Sequence, residues 1–340
     1  MTLGGPGPGD GVGRGDRPRP TRVVVVGGAN VDIVARAGAG VVAGSSTPGL
    51  VVSGDGGVAR NIAENLARLA TPVLLVAPIG PDDAGAGLRA RCAAIGIDTR
   101  ALIAAPQPTG RYVAVLDRDG ELLAGINDMR AVEALTPADM DAVAGDLTGS
   151  DVVVLDANLP TPVLATLARA AAAVGAPVVA EPVSVAKAPR ILTALQPRPW
   201  LLTPNTAELA ALCPEPVGGG DRDTDADRDA DAERAGRLVA EGVGLVWQRR
   251  GAAGSVLFGA RPGERLHTPA PRVPVVDVTG AGDALLAGFL HAWLAGAPLS
   301  AALRYGHTVA ALTVSVPHTV RPDLSPALVE RFRSSQGVLP

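Results

Sequence analysis

Lysine is nearly missing from this chain. Among 30 basic residues only Lys187 is a lysine and the rest are arginines, in a chain of 340 residues that also carries 34 Asp and Glu. Where arginine has displaced lysine so thoroughly, the one that stays marks a need for a compact ammonium group. Chance survival at a surface site is the competing account. Excess positive charge is also absent. A formal net charge of −4 leaves no overall field to concentrate nucleic acid and directs attention to small-molecule partners. Cysteine is as scarce: Cys92 and Cys213 stand far apart, in no CxxC pair and beside no histidine, which predicts two buried reduced thiols. Residues 1–20, rich in Gly, Pro, Arg and Asp, lack the apolar core of a secretory signal, which predicts a disordered tail and a cytoplasmic protein with no membrane partner. The apolar run from 281 to 296 is broken by Asp283 and His291 and is too short to span a bilayer, so it reads as a buried helix.

With 47% hydrophobic residues, the chain can bury a large core. Val23 to Val26 reads as a central strand running into Gly27 and Gly28. Apolar positions then recur at helical spacing through Ile62, Leu66 and Leu69, ahead of a strand at Val73 to Ala77. Strands at Val152 to Leu155, Val178 to Ala180, Leu201 to Leu202 and Leu245 to Trp247 continue the rhythm, separated by helical stretches such as Leu164 to Val174. Alternation of this kind predicts an α/β fold with a mostly parallel sheet. One interruption stands out: Arg111 to Leu116 and Glu121 to Ile126 flank Asp117-Arg118-Asp119-Gly120, a hairpin signal and hence an inserted β element.

Asp recurs at 221, 223, 225, 227, 229 and 231. A calcium loop would also need a central glycine and a bidentate glutamate at fixed spacing, and no register supplies both. The stretch is read as a solvated loop leading into a helix around Ala235 to Ala240.

The densest chemistry lies in Asp277-Val278-Thr279-Gly280-Ala281-Gly282-Asp283, directly before an apolar helix. Small residues let backbone amides approach a ligand, and amides at a helix N-terminus favour an anion such as a transferring phosphoryl group. Asp283, in the first turn, is then placed to accept a proton from an attacking hydroxyl.

This string resembles the C-terminal signature of the ribokinase-like (PfkB) carbohydrate kinases. The resemblance extends to Asn205-Thr206-Ala207-Glu208 after a strand, a pattern that by itself is equally a helix cap, and to Gly56-Gly57 opening a helix that contains Asn61. Membership implies a three-layer α/β/α domain over 21–330 with a small β-sheet lid from about 35–53 and 109–127. It also implies ATP and Mg2+, with K+ as a candidate third component. Asn30, Asp32, Gly56, Gly57 and Asn61 would hold the sugar, and the amides of Gly280, Ala281 and Gly282 the transferred group. Asn205, Glu208, Lys187, Thr279, Gly251 and Gly254 would face ATP.

Within the family, the strings Gly56 to Leu66, Ile126-Asn127-Asp128-Met129 and Pro182 to Lys187 are similar to those of the pseudouridine kinases. That implies phosphorylation of a nucleoside 5′-hydroxyl, with Asn127 or Asp128 facing the base. A ribokinase or broad nucleoside kinase, or a catalytically silent sugar-binding regulator, would share most of these motifs. A homodimer through the lid is the candidate assembly. Two departures stand out. Glu181 replaces the usual Asp, so a metal role shared with Glu208 depends on a side chain one methylene longer. Arg249, followed by Arg250, stands where Thr or Ser is common, and is read either as a phosphate contact or as a solvent-facing residue.

Overall fold

A computed structural model describes residues 20–41, 44–214, 225–259 and 264–335. Its strands in chain order are β1 (Arg22–Val26), β2 (Asn30–Ala37), β3 (Gly49–Gly56), β4 (Val73–Val76), β5 (Pro78–Ile79), β6 (Ile103–Ala104), β7 (Gly110–Leu116), β8 (Leu122–Asp128), β9 (Asp151–Asp156), β10 (Val178–Glu181), β11 (Leu201–Leu202), β12 (Leu245–Arg249), β13 (Ser255–Phe258) and β14 (Arg265–Thr268). Among the described residues they form an eight-stranded sheet, a four-stranded sheet and the short pair β5-β6.

The large sheet has the order β14-β13-β12-β11-β10-β9-β1-β4, parallel from β4 to β12 and antiparallel at its β13 and β14 edge. β1 shows why the chain folds this way. Consecutive valines suit a strand covered on both faces, and period-2 alternation sends them to two separate cores. Val23 and Val25 pack with the helices Val58–Arg68, Ala281–Leu294 and Leu299–Val314, whereas Val24 and Val26 pack with Thr161–Val174 and Asp225–Ala240. The result is the expected α/β/α sandwich. Its parallel strands end together, so Gly28, Asp156, Glu181, Asn205 and Arg249 follow or close β1, β9, β10, β11 and β12 at the same edge of the sheet. Ligand crevices of open α/β sheets form outside such carboxyl ends.

The lid is the sheet β3-β2-β7-β8, with β2 and β3 antiparallel, β2 and β7 parallel, and β7 and β8 antiparallel. It reaches beyond the expected 35–53 and 109–127. Asn30, Asp32 and Gly56 themselves lie on lid strands, because β1 passes through Gly27 to Ala29 straight into β2.

The acidic stretch departs from expectation. The helix Asp225–Ala240 already includes part of it, and Asp231 is buried, accepting from Gln248 Nε2 and from Arg234 Nη1. The Asp231–Arg234 pair at helical spacing stabilises a helix that the alternating acids conceal. Asp221 and Asp223 lie outside the described residues, as does most of the expected tail. Among the described residues no cluster of acids, histidines or cysteines can hold a metal by itself. Both cysteines are buried and unpaired, as expected. No described helix is long and apolar enough to cross a membrane.

Candidate active site

The helix Ala281–Leu294 starts at Gly280, whose φ of 76° lies in the left-handed region and whose missing Cβ would sit 2.1 Å from Thr319 O. Only glycine fits there. Just upstream, Asp277 Oδ1 accepts from the Thr279 amide at 2.8 Å. The Ala281 amide donates to Val278 O at 3.2 Å. Among the described residues the amides of Gly280, Gly282 and Asp283 have no partner. Within the expected Gly280–Gly282 cradle the Ala281 amide is therefore occupied, while the next amide, that of Asp283, is open among the described residues.

Asp283 is 9% exposed and accepts from Asn61 Nδ2 at 2.8 Å. That bond joins the helix opened by Gly56-Gly57 to the helix opened by Gly280. Arg60 donates to Asn61 Oδ1 and to Glu64, which orients the Asn61 amide so that its NH2 faces Asp283. Burial pushes the Asp283 carboxyl up to about 7, and Glu181 adds to the rise. Asn61, Arg249 and Arg60 act in the opposite direction.

A second cluster closes the neighbouring strand ends. Asn205 and Glu208 form a capping box: Asn205 Oδ1 accepts from the Glu208 amide, and Glu208 Oε2 from the Asn205 amide, each at 2.9 Å. The cap leaves Glu208 a second contact, because its Oε2 also meets Arg249 Nη2 at 3.4 Å. Glu208 is pushed above the ordinary range by burial. Arg249 Nη2 donates to Glu181 Oε1 at 2.7 Å. Thr203 Oγ1 holds the other Glu181 oxygen at 2.6 Å. The two departures from the family pattern, Glu181 and Arg249, thus meet in one ion pair. Arg250 turns the other way, donating from Nε to Gln248 Oε1 at 2.8 Å. Gly251 and Gly254 bound the turn that follows.

On the lid, Asn30 Nδ2 donates to Asp32 Oδ1 at 2.5 Å. Gly56 admits that carboxylate, since a Cβ would fall 2.2 Å from Asp32 Oδ2. Register separates the two base-facing candidates. Asp32 pairs with Tyr112, and Tyr112 with Asn127, so all three share one face. Asp128 points to the opposite face. Its carboxylate is paired with Arg130 at 2.6 Å, which holds it down to about 2.

Lys187 Nζ donates to Asn158 Oδ1 at 2.6 Å. Asn158 follows Asp156, a buried carboxylate that accepts from the Gly28 and Asn158 amides, each at 2.9 Å. Burial raises Asp156, and the Lys187 charge opposes that rise. The lone lysine is therefore an ammonium set beside a buried acid at the sheet edge. Sequence reasoning missed Asp156, Asn158, Tyr112 and Arg60. Only the Asp-x-Asn after a strand, and an arginine inside an apolar helix turn, hinted at any of them.

The donor set suits Mg2+, which takes one or two carboxylates and fills its remaining positions with phosphate and water. Glu208 Oε1 has no partner among the described residues, whereas both Glu181 oxygens are engaged. Glu208 would hold the ion directly. Glu181 would reach it only by giving up Arg249.

Residues 20–325 match the pfkB family carbohydrate kinase profile. Pseudouridine kinase of Escherichia coli strain K12 is 30% identical over 308 residues, 90% of this chain and 95% of that one. A carbohydrate kinase from Agrobacterium tumefaciens superposes with a TM-score of 0.77 at 32% identity, covering 94% and 98% of the two chains. The Arabidopsis thaliana ribokinase solved with ribose and ATP superposes at 0.75 with 24% identity, covering 93% and 99%. The chain belongs to the pfkB family of carbohydrate kinases.

Proposed function

We propose that this protein transfers the γ-phosphate of ATP to the 5′-hydroxyl of pseudouridine, with Asp283 as general base. One observation carries the reading: the Asn61–Asp283 hydrogen bond of 2.8 Å, which brings the helix behind the lid strands against the helix that offers free amides to an anion. A hydroxyl on a sugar seated over Asp32 and Asn61 would lose its proton to Asp283 Oδ as it attacks. The amides of Gly280, Gly282 and Asp283 would bind the charge on the transferred group. Mg2+, held by Glu208 together with the phosphates, would neutralise charge on the nucleotide. Lys187 and Thr279 would complete the nucleotide side, and K+ would be an accessory ion rather than a ligand of the reacting atoms.

Specificity for pseudouridine rests on Asn127. Pseudouridine presents a ring N1–H where uridine has its glycosidic bond, and the Asn127 amide shares the lid face of Asp32. The resemblance at Gly56 to Leu66 and the E. coli relative support this choice over ribose. A second copy of the chain would cover the lid's outer apolar side chains, and light scattering of the purified protein tests that. Incubation of the protein with ATP, Mg2+ and ribose, uridine, pseudouridine, cytidine or adenosine, read by product mass, tests the activity. Pseudouridine should be preferred. A ribose preference would make the protein a ribokinase, and absence of ATP consumption with every acceptor would make it a sugar-binding regulator.

A further inference from the structure

The Arg249 guanidinium is held at one end and free at the other. Its Nη2 lies on Glu181 Oε1 at 2.7 Å and Glu208 Oε2 at 3.4 Å. Its backbone is locked as well: the amide donates to Pro204 O at 2.8 Å, and Asn205 and Arg249 bridge the ends of β11 and β12. The side chain is 13% exposed. Nη1 and Nε have no partner among the described residues. Nη1 is aimed at the anion cradle, since it sits 2.7 Å from the point where a Cβ on Gly282 would be. The glycine leaves room for the guanidinium, and the guanidinium brings donors to the amides of Gly282 and Asp283.

Charge says what those donors face. Glu181, Glu208 and Asp283 surround this corner, and carboxylates repel a polyphosphate. A fixed cation among them removes part of that repulsion, and arginine presents planar paired donors that match phosphate oxygens. A solvated surface arginine would have no need of two carboxylates to hold it in place.

We propose that Arg249 is a catalytic residue that touches the terminal phosphate of the bound nucleotide: Glu181 and Glu208 hold Nη2 while Nη1 donates to the phosphoryl group seated on the Gly280, Gly282 and Asp283 amides. The proposal rests on the reading of that loop as the phosphoryl site. Glu181 then has a task of its own, as the anchor of Arg249, and its extra methylene carries its carboxylate to the guanidinium.

The test is metal-free binding, which involves neither an acceptor nor turnover. Isothermal titration of the full chain with ATP and with AMP, in the presence of a chelator, is compared for wild type, Arg249→Ala and Arg249→Lys. Loss of a charge-assisted phosphate contact should weaken ATP about tenfold or more in Arg249→Ala while leaving AMP within about twofold. Arg249→Lys keeps the charge but not the fork, and should weaken ATP by about threefold. Near-ultraviolet circular dichroism checks folding; should Arg249→Ala fail to fold, the ATP-to-AMP ratio of Arg249→Lys decides alone. An unchanged ratio in the folded variants overturns the proposal. A chain that binds ATP in this pattern but phosphorylates none of the offered sugars would refute the proposed function and leave the Arg249 contact standing.

Discussion

Val24 in β1 and Val51 in β3 are the same residue in the same kind of element, yet the first is fully buried and the second is 65% exposed. In the body, helices cover both faces of the sheet. In the lid, Leu50, Val52, Leu122, Leu123 and Ile126 join Val51 as exposed apolar side chains, which strand alternation divides between the two faces of the sheet. The body thus holds Asp283, Glu208 and Arg249 in place through its own packing. The lid owes little apolar burial to the body. Rate should therefore be set in the body and discrimination in the lid.

The largest expected effect breaks the body. Leu75→Ala, in β4 at full burial, should cost roughly 2–5 kcal/mol, whereas Val51→Ala in the lid should change stability by under about 0.5 kcal/mol. Denaturant titration of both variants checks the contrast, and similar losses would mean that the lid packs as a core.

Asp283→Asn deletes the proton acceptor without changing shape, so kcat should fall about 100-fold or more while ATP affinity holds. Retention of more than about half the wild-type kcat would remove Asp283 from the base role. Glu208→Gln should raise the Mg2+ concentration needed for half-maximal rate about tenfold, since an amide oxygen holds a hard dication poorly. An identical magnesium titration would reduce Glu208 to its cap.

The sign of the pH response follows from Asp283. A base works only when deprotonated, so with its carboxyl raised to about 7 by burial, kcat/KM should climb with pH up to that value. Below it, kcat/KM should fall by about tenfold per unit. Stability runs the other way. The native state binds this proton more tightly than the unfolded chain, so the group's contribution is lost as pH rises from the ordinary Asp range through about 7. A flat kcat/KM profile between pH 5.5 and 8, approximately the interval around that value, would contradict the assignment.

The smallest effect sharpens the lid's role. Asn127→Ala should narrow the pseudouridine-over-uridine preference by about 5-fold or more, with turnover on ribose little changed. Asp128→Ala, on the opposite face, should leave that preference alone. Competition between the two nucleosides, read by mass, decides, and equal effects of the two variants would contradict the register argument.

Much of this molecule was legible before any fold was known. The valine run, the glycine-bounded helix starts and the Asp-Gly hairpin are local signals, and local signals determine strands, helix caps and turns because the interactions behind them span a few residues. Asp277 to Asp283 announced the helix start at Gly280 for the same reason. Partnership across the chain was not legible. Asn61 and Asp283 meet at a separation of 222 residues, and Glu181 and Arg249 at 68. Nothing near Arg249 in sequence says that it will face two carboxylates, which is why its role stayed open between phosphate and solvent. The acidic stretch shows the limit from the other side: alternating acids look solvated, yet Asp231 turns inward because β12 places Gln248 against its helix. Asn127 and Asp128 are adjacent and chemically similar, and only strand register assigns one to the face of Asp32. Composition and local pattern determined the elements and the kind of chemistry. The tertiary structure decided which charges share a site, because strand order and helix packing set distances between residues far apart in the chain.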